Sequence, residues 1–139
     1  MMITKETFDK YRQGNYPNFA FHEIACSCCG ELKPKMTLNE FLDFMTDVQC
    51  LRDLLKRPIT LASAWRCEHH ELNILKKKAT GQHNIMAVDV RCSYENAYDV
   101  LDTAFSMKVF KGIGISQKGD AKYRFIHLDP REVKALWSY

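Results

Sequence analysis

The 139-residue sequence has no run of about 18 consecutive apolar residues, the length that a membrane-spanning helix requires, so insertion into a bilayer is not expected. Its opening stretch, MMITKETFDKYRQGNYPNF, lacks the basic start and apolar segment of a secretory signal, and synthesis in the cytosol is the expectation. Repeats and low-complexity tracts are missing, which excludes a solenoid. A basic stripe is missing too. The net charge is only +3 and, apart from KKK at 76–78, lysines and arginines are scattered, so nucleic acid is not an expected partner. Six cysteines are present, but a chain without a signal begins in a reducing compartment, and free thiols are the expectation. CSCC at 26–29 could hold a structural zinc together with Cys67 or Cys92. Read as C-x-C-C, however, the run departs from the C-x-x-C pattern of zinc knuckles and ribbons.

What is present fits one compact domain over residues 1–139, with 1–18 as an N-terminal extension. Hydrophobic residues make up 46% and charged residues 27%, and a chain of this length can bury a core without needing a metal for stability. A monomer is expected. Thr37 and Glu40 form a capping box, and Leu38, Phe41, Met45, Val48, Leu51 and Leu55 recur at helical spacing, which predicts a helix of about five turns ending at Pro58. ITLAS at 59–63 reads as a buried strand, HHELNILKK as a short helix and KKATGQHN as a polar turn. MAVDV reads as a strand, SYENAYDVLDTAFSM as a helix capped by Ser93, and GIGI and YRFIHLD as two further strands. The order is not a steady βαβ alternation. It predicts an α+β domain with a small, mainly antiparallel sheet flanked by helices.

Two of these strands carry polar residues in apolar surroundings. Alternation puts Asp89 with Ala87 on one face of MAVDV, and His127 and Asp129 with Phe125 on one face of FIHLD. A carboxylate or imidazole inside a sheet is costly unless it is paired, hydrogen-bonded or ligating a metal. Together with His83 in the preceding turn they supply two imidazoles and a carboxylate, the donor set that leaves zinc one open position for catalysis. A satisfied structural hydrogen bond is the competing reading.

Five motifs in order, ASAWRCEHHELN, GQHNIMAVDV, FKGIGI, RFIHLDPR and the closing LWSY, resemble the zinc-dependent peptidoglycan peptidases of the D-alanyl-D-alanine carboxypeptidase type. That family includes short phage endolysins and is related to the hedgehog signalling domain in fold. The resemblance covers residues 19–139, since FAFHEIACSCCG is similar to the family's N-terminal F-x-x-x-E-x-x-C-x-C stretch. It implies zinc held by His83, Asp89 and His127. It also implies a substrate carboxylate gripped by Arg66 in the turn SAWR, where Ser63 matches the family's serine and Trp65 replaces its tyrosine. The implied substrate is a peptidoglycan stem peptide, cut by a carboxypeptidase or an endolysin-type endopeptidase, and the implied setting is that of a phage lysin released to the wall.

The sequence departs from the family pattern in three ways. Gly81 stands where serine is usual and the glycine after the histidine is absent; five residues rather than six separate His83 from Asp89; and Arg124 occupies the position where many relatives have a general-base glutamate. An arginine cannot accept a proton at working pH. Asp129 is then the candidate base, with a second role open to it: holding the other ring nitrogen of a ligand histidine. Glu68, His69, His70 and Asp120 are lesser candidates. The alternative to an enzyme is a catalytically silent zinc- or peptide-binding domain on the same scaffold.

Overall fold

The computed structural model describes residues 1–76 and 81–139. Of the expected turn KKATGQHN, residues 77–80 lie outside that range. The described chain groups into two compact units, Met1–Gln49 with Ser63–Ala87, and Cys50–Ala62 with Val88–Tyr139. Among the described residues no helix is long and apolar enough to cross a membrane.

The first unit is helical. Helix α1 (Lys5–Asn15) opens on Thr4, whose side chain accepts from the Thr7 N–H, and it buries Phe8 completely. Tyr16 packs on Phe8 with ring centroids 4.7 Å apart and donates its hydroxyl to the Phe8 carbonyl at 2.9 Å. Residues 1–18 thus contribute three fully or almost fully buried side chains, Ile3, Phe8 and Tyr16, to this unit's core. Helix α2 (Phe21–Ile24) is a single turn that Glu23 closes by accepting the Ala20 N–H at 2.8 Å.

Helix α3 (Leu38–Leu55) runs from the first unit into the second. The Thr37–Glu40 capping box forms as expected: Glu40 N–H donates to Thr37 Oγ1 at 3.1 Å, and Thr37 N–H to Glu40 Oε1 at 3.3 Å. Phe41, Met45, Val48 and Leu51 are fully buried, which is the apolar stripe read from the spacing. Lys56, in the left-handed region at φ 57°, and Pro58 end the helix.

The second unit is built on a five-stranded sheet in the order β1-β2-β4-β3-β5: β1 Thr60–Ser63, β2 Val88–Arg91, β3 Gly112–Ser116, β4 Phe125–Asp129 and β5 Ala135–Ser138. Strands β2 and β3 both pair antiparallel with β4, and β5 joins β3 in parallel. Helix α5 (Tyr94–Met107) packs on β4 and buries Ala97, Val100 and Ala104. The α+β class and the mainly antiparallel sheet agree with the sequence reading. Five details differ from it. Strand β1 is at an edge and half exposed rather than buried, because a sheet neighbour covers it on one side only. Ser93 stands at the α5 N-cap but makes no side-chain cap bond. HHELNILKK forms a π-helix, His70–Ile74, and His83 lies in a short helix, α4 (Gln82–Ile85), rather than in a turn. Strand β5 had no strong signal, since ALWS is short and carries little β-branching.

The glycines of GIGI answer to their partners across the sheet. Gly112 faces Asp129 and Gly114 faces His127 in register, with Trp137 beside Gly114 on β5. A Cβ on Gly112 would strike the carboxylate of Asp129 and the Nε of Arg131, and one on Gly114 would come within 2.5 to 2.7 Å of the Trp137 indole. The two glycines create the room those groups occupy. Gly114→Ala should therefore lower the unfolding free energy by about 2 kcal/mol in urea titration. Gly14→Ala, on α1 with nothing within 4 Å, should raise it by about 0.5 to 1 kcal/mol.

Candidate metal centre

Register brings two of the expected ligands together in the second unit. Asp89 on β2 pairs directly with His127 on β4, and Asp89 Oδ1 lies 3.0 Å from His127 Nδ1. The other ring nitrogen, Nε2, is 2.7 Å from Asp129 Oδ2. Asp129 is in turn gripped by Arg131, whose Nε and Nη2 reach Oδ1 and Oδ2 at 2.8 and 2.7 Å, while its backbone N–H reaches Oδ1 at 3.0 Å. Arg131 lies over the Trp137 ring at 4.7 Å, and that ring sits 5.0 Å from the His127 imidazole. Asp89, His127 and Asp129 are 7%, 2% and 0% exposed, so water contributes little to their solvation.

The charges follow from these contacts. Burial alone would pull the His127 pKa down, but hydrogen bonds to Asp129 and Asp89 outweigh it and the value is raised. Burial would push Asp129 up, yet its bonds to Arg131 and His127 hold it down at about 2. Asp129 is thus a carboxylate held in its ionised form near neutral pH, with both oxygens engaged. A general base works best with a pKa near the operating pH. The expected role as base therefore finds no support in this geometry, whereas a carboxylate fixing the far nitrogen of a ligand histidine has this form. Arg124 is held by structural contacts, since its Nε and Nη2 donate to the Gly119 carbonyl at 3.0 and 2.9 Å and it stacks on Tyr94 at 4.9 Å. Asp120 caps the short helix Ala121–Tyr123 by accepting the Lys122 N–H at 3.1 Å.

The remaining expected residues lie in the first unit or at its edge. His83 is 5% exposed and its Nδ1 is 2.6 Å from the Ala64 carbonyl. A carbonyl only accepts, so Nδ1 carries the proton. The segment after β1 is laced to α4 by three bonds. Arg66 N–H donates to the His83 carbonyl at 2.9 Å, Asn84 Nδ2 to the Arg66 carbonyl at 2.9 Å, and Trp65 Nε1 to the Asn84 carbonyl at 2.9 Å. The Arg66 guanidinium is mostly buried, with Nε 3.5 Å from Glu71 Oε1 and no hydrogen-bond acceptor on Nε among the described residues. Ser63, at the end of β1, is half-buried. Beside this segment opens a cavity of about 430 Å³ lined by Trp65, Asn84, Glu68, His69, Lys33 and Lys35 among others. Sequence reasoning missed Glu71, Arg131 and Trp137. Only LWSY gave any hint of Trp137, and an arginine two residues past a buried aspartate carries no signal of its own.

A carboxylate facing an imidazole across two strands, under an ordered arginine and indole, fits a metallopeptidase scaffold. The model of the Peptidase M15 family matches residues 17–129. The chain belongs to that family, whose type is the zinc D-alanyl-D-alanine carboxypeptidase. No curated protein sequence matches it.

Removing Arg131 leaves the Asp129 charge buried without its cation, a change that costs about 3 kcal/mol in comparable pairs. Arg131→Gln should lower the urea unfolding free energy of the metal-free protein by roughly that amount. A loss below about 0.5 kcal/mol, the size of an ordinary surface substitution, would show that the pair is not what holds Asp129 in place.

Proposed function

We propose that the chain is a zinc-dependent peptidase acting on peptidoglycan stem peptides, with His83, Asp89 and His127 as the metal ligands. The observation that carries the reading is the buried Asp89–His127 pair, backed by Asp129, inside the region matched by the Peptidase M15 model. The donor set suits zinc: neutral imidazole nitrogens and one carboxylate oxygen, all buried, with hydrogen bonds that fix the ring of each histidine. An ion held there supplies Lewis acidity toward the scissile carbonyl and activates water for attack.

The chain's own residues then have separate roles. Asp129 is a positioning residue: with zinc bound it would accept from His127 Nε2–H and so direct Nδ1 to the metal in place of its hydrogen bond with Asp89, and Arg131 keeps it ionised. Arg66 is the clamp for a substrate carboxylate, with a planar two-pronged donor already desolvated, and Ser63 stands at the start of that turn. Glu71 holds the guanidinium until substrate arrives. As part of the same reading, the chain is a monomer made in the cytosol that reaches the wall as a lysin of the phage type.

The second reading, a catalytically silent zinc- or peptide-binding domain, draws on two observations: Arg124 where a base is usual, and Asp129 fully committed to Arg131 and His127. One set of measurements separates the two. The purified protein should carry zinc and release peptides from peptidoglycan, and His127→Ala should abolish both. Asp129→Asn should weaken zinc binding about 10- to 100-fold. Arg66→Lys should keep the metal and lose at least about tenfold in kcat/KM, equal to about 1.4 kcal/mol. Zinc bound with full stoichiometry and no hydrolysis would instead establish the silent domain.

A further inference from the structure

The cysteines that the proposed peptidase chemistry does not use converge in the first unit. Sγ atoms of Cys26, Cys28, Cys29 and Cys67 all lie within 4.8 Å of one another. Cys26 is 3.4 Å from Cys28 and 3.6 Å from Cys67, and Cys28 is 3.3 Å from Cys67. None is in a disulfide, whose sulfurs would be about 2.05 Å apart. Four thiolates around zinc at about 2.3 Å form a tetrahedron with edges of about 3.8 Å, close to the spacings seen.

We propose that Cys26, Cys28, Cys29 and Cys67 bind a structural zinc ion, separate from the His83, Asp89 and His127 set. The outer cysteines of CSCCG, Cys26 and Cys29, do keep C-x-x-C spacing followed by glycine, which the reading as C-x-C-C obscures. The turn is built for it. Gly30, at φ 73°, donates its N–H to the Cys26 carbonyl at 2.8 Å, and Cys26 N–H donates to the Glu31 carbonyl at 2.9 Å. Trp65 N–H reaches the Ile24 carbonyl at 3.2 Å and sets the segment carrying Cys67 against this turn.

Backbone donors also point at the sulfurs: Cys67 N–H at Cys26 Sγ (3.5 Å) and His70 N–H at Cys67 Sγ (3.3 Å). Such bonds stabilise thiolates, as they do around other metal-bound sulfurs. His70 Nδ1, 3.7 Å from Cys26 Sγ, is placed to donate to that sulfur as well. The thiol protons leave to solvent as zinc binds.

With all four positions taken by sulfur the site is closed, so its role is structural. It ties the turn after α2 to Cys67, the residue that follows Arg66. The site does not rest on the peptidase reading, and its test separates the two. The reduced, metal-stripped full chain is titrated with Co²⁺ alone. Thiolate-to-cobalt charge-transfer absorption should appear, persist in His127→Ala and vanish in the Cys26→Ser/Cys67→Ser double variant. Zinc content should fall from about two ions per chain to about one in each variant. Should the double variant fail to fold, a mercurial thiol reagent added to the parent protein should release one zinc for about four thiols titrated beyond the exposed Cys50. Cobalt bound without charge transfer, a zinc content insensitive to the cysteines, or a mass two hydrogens short in the non-reduced protein would each overturn the site.

Discussion

The second unit is organised around one imidazole held between two carboxylates. His127 meets Asp89 on one nitrogen and Asp129 on the other, and none of the three has appreciable contact with water. Two negative charges beside one ring in a dry sheet would be unstable alone. Arg131 makes the arrangement tolerable by binding Asp129 through three donors, and Trp137 covers both the guanidinium and the imidazole. The rest follows from that need for space and charge. Strand β3 carries glycine at the two positions facing the cluster, and β5 runs parallel to β3 so that its indole meets Gly114.

The chemistry this supports depends on tautomers. In His83 the Ala64 carbonyl fixes a proton on Nδ1, and in His127 carboxylates stand at both ring nitrogens, Asp129 at Nε2 and Asp89 at Nδ1. Each ring is thereby held in a defined orientation. The single-turn helix α4 and the segment after β1 are stitched together largely by backbone atoms, so the position of Arg66 is set independently of its own side chain.

Much of this was legible in the sequence. The helical stripe from Phe41 to Leu51 and the Thr37–Glu40 box defined α3, and alternation alone put His127 and Asp129 on one face, because both signals depend on local geometry. The resemblance to a known family implied the ligand set and the Arg66 clamp on which the proposed function rests. What was hidden has two sources. The edge position of β1 and the parallel strand β5 are set by neighbours distant in the chain, whereas the Arg66–Glu71 and Asp129–Arg131 pairs are close in sequence but their side-chain directions leave no periodic signal. Asp129 shows the difference plainly: its place was readable, but its commitment to Arg131 was not.

The π-helix at His70–Ile74 has an evolutionary consequence. A π-turn carries one residue more than an α-turn in the same span, and such bulges concentrate at working sites. Glu71 N–H donates to the Cys67 carbonyl at 3.1 Å, an ordinary helical spacing, while Leu75 N–H to the His70 carbonyl at 2.9 Å spans the extra residue. Deleting one position between Leu72 and Ile74 would restore ordinary winding and turn Leu75 about 100° around the axis while leaving Glu71 beside Arg66. A single-codon deletion would thus re-aim the exit from this helix without unmasking the cation, a route by which closely related chains could diverge beyond the turn while keeping Arg66 held.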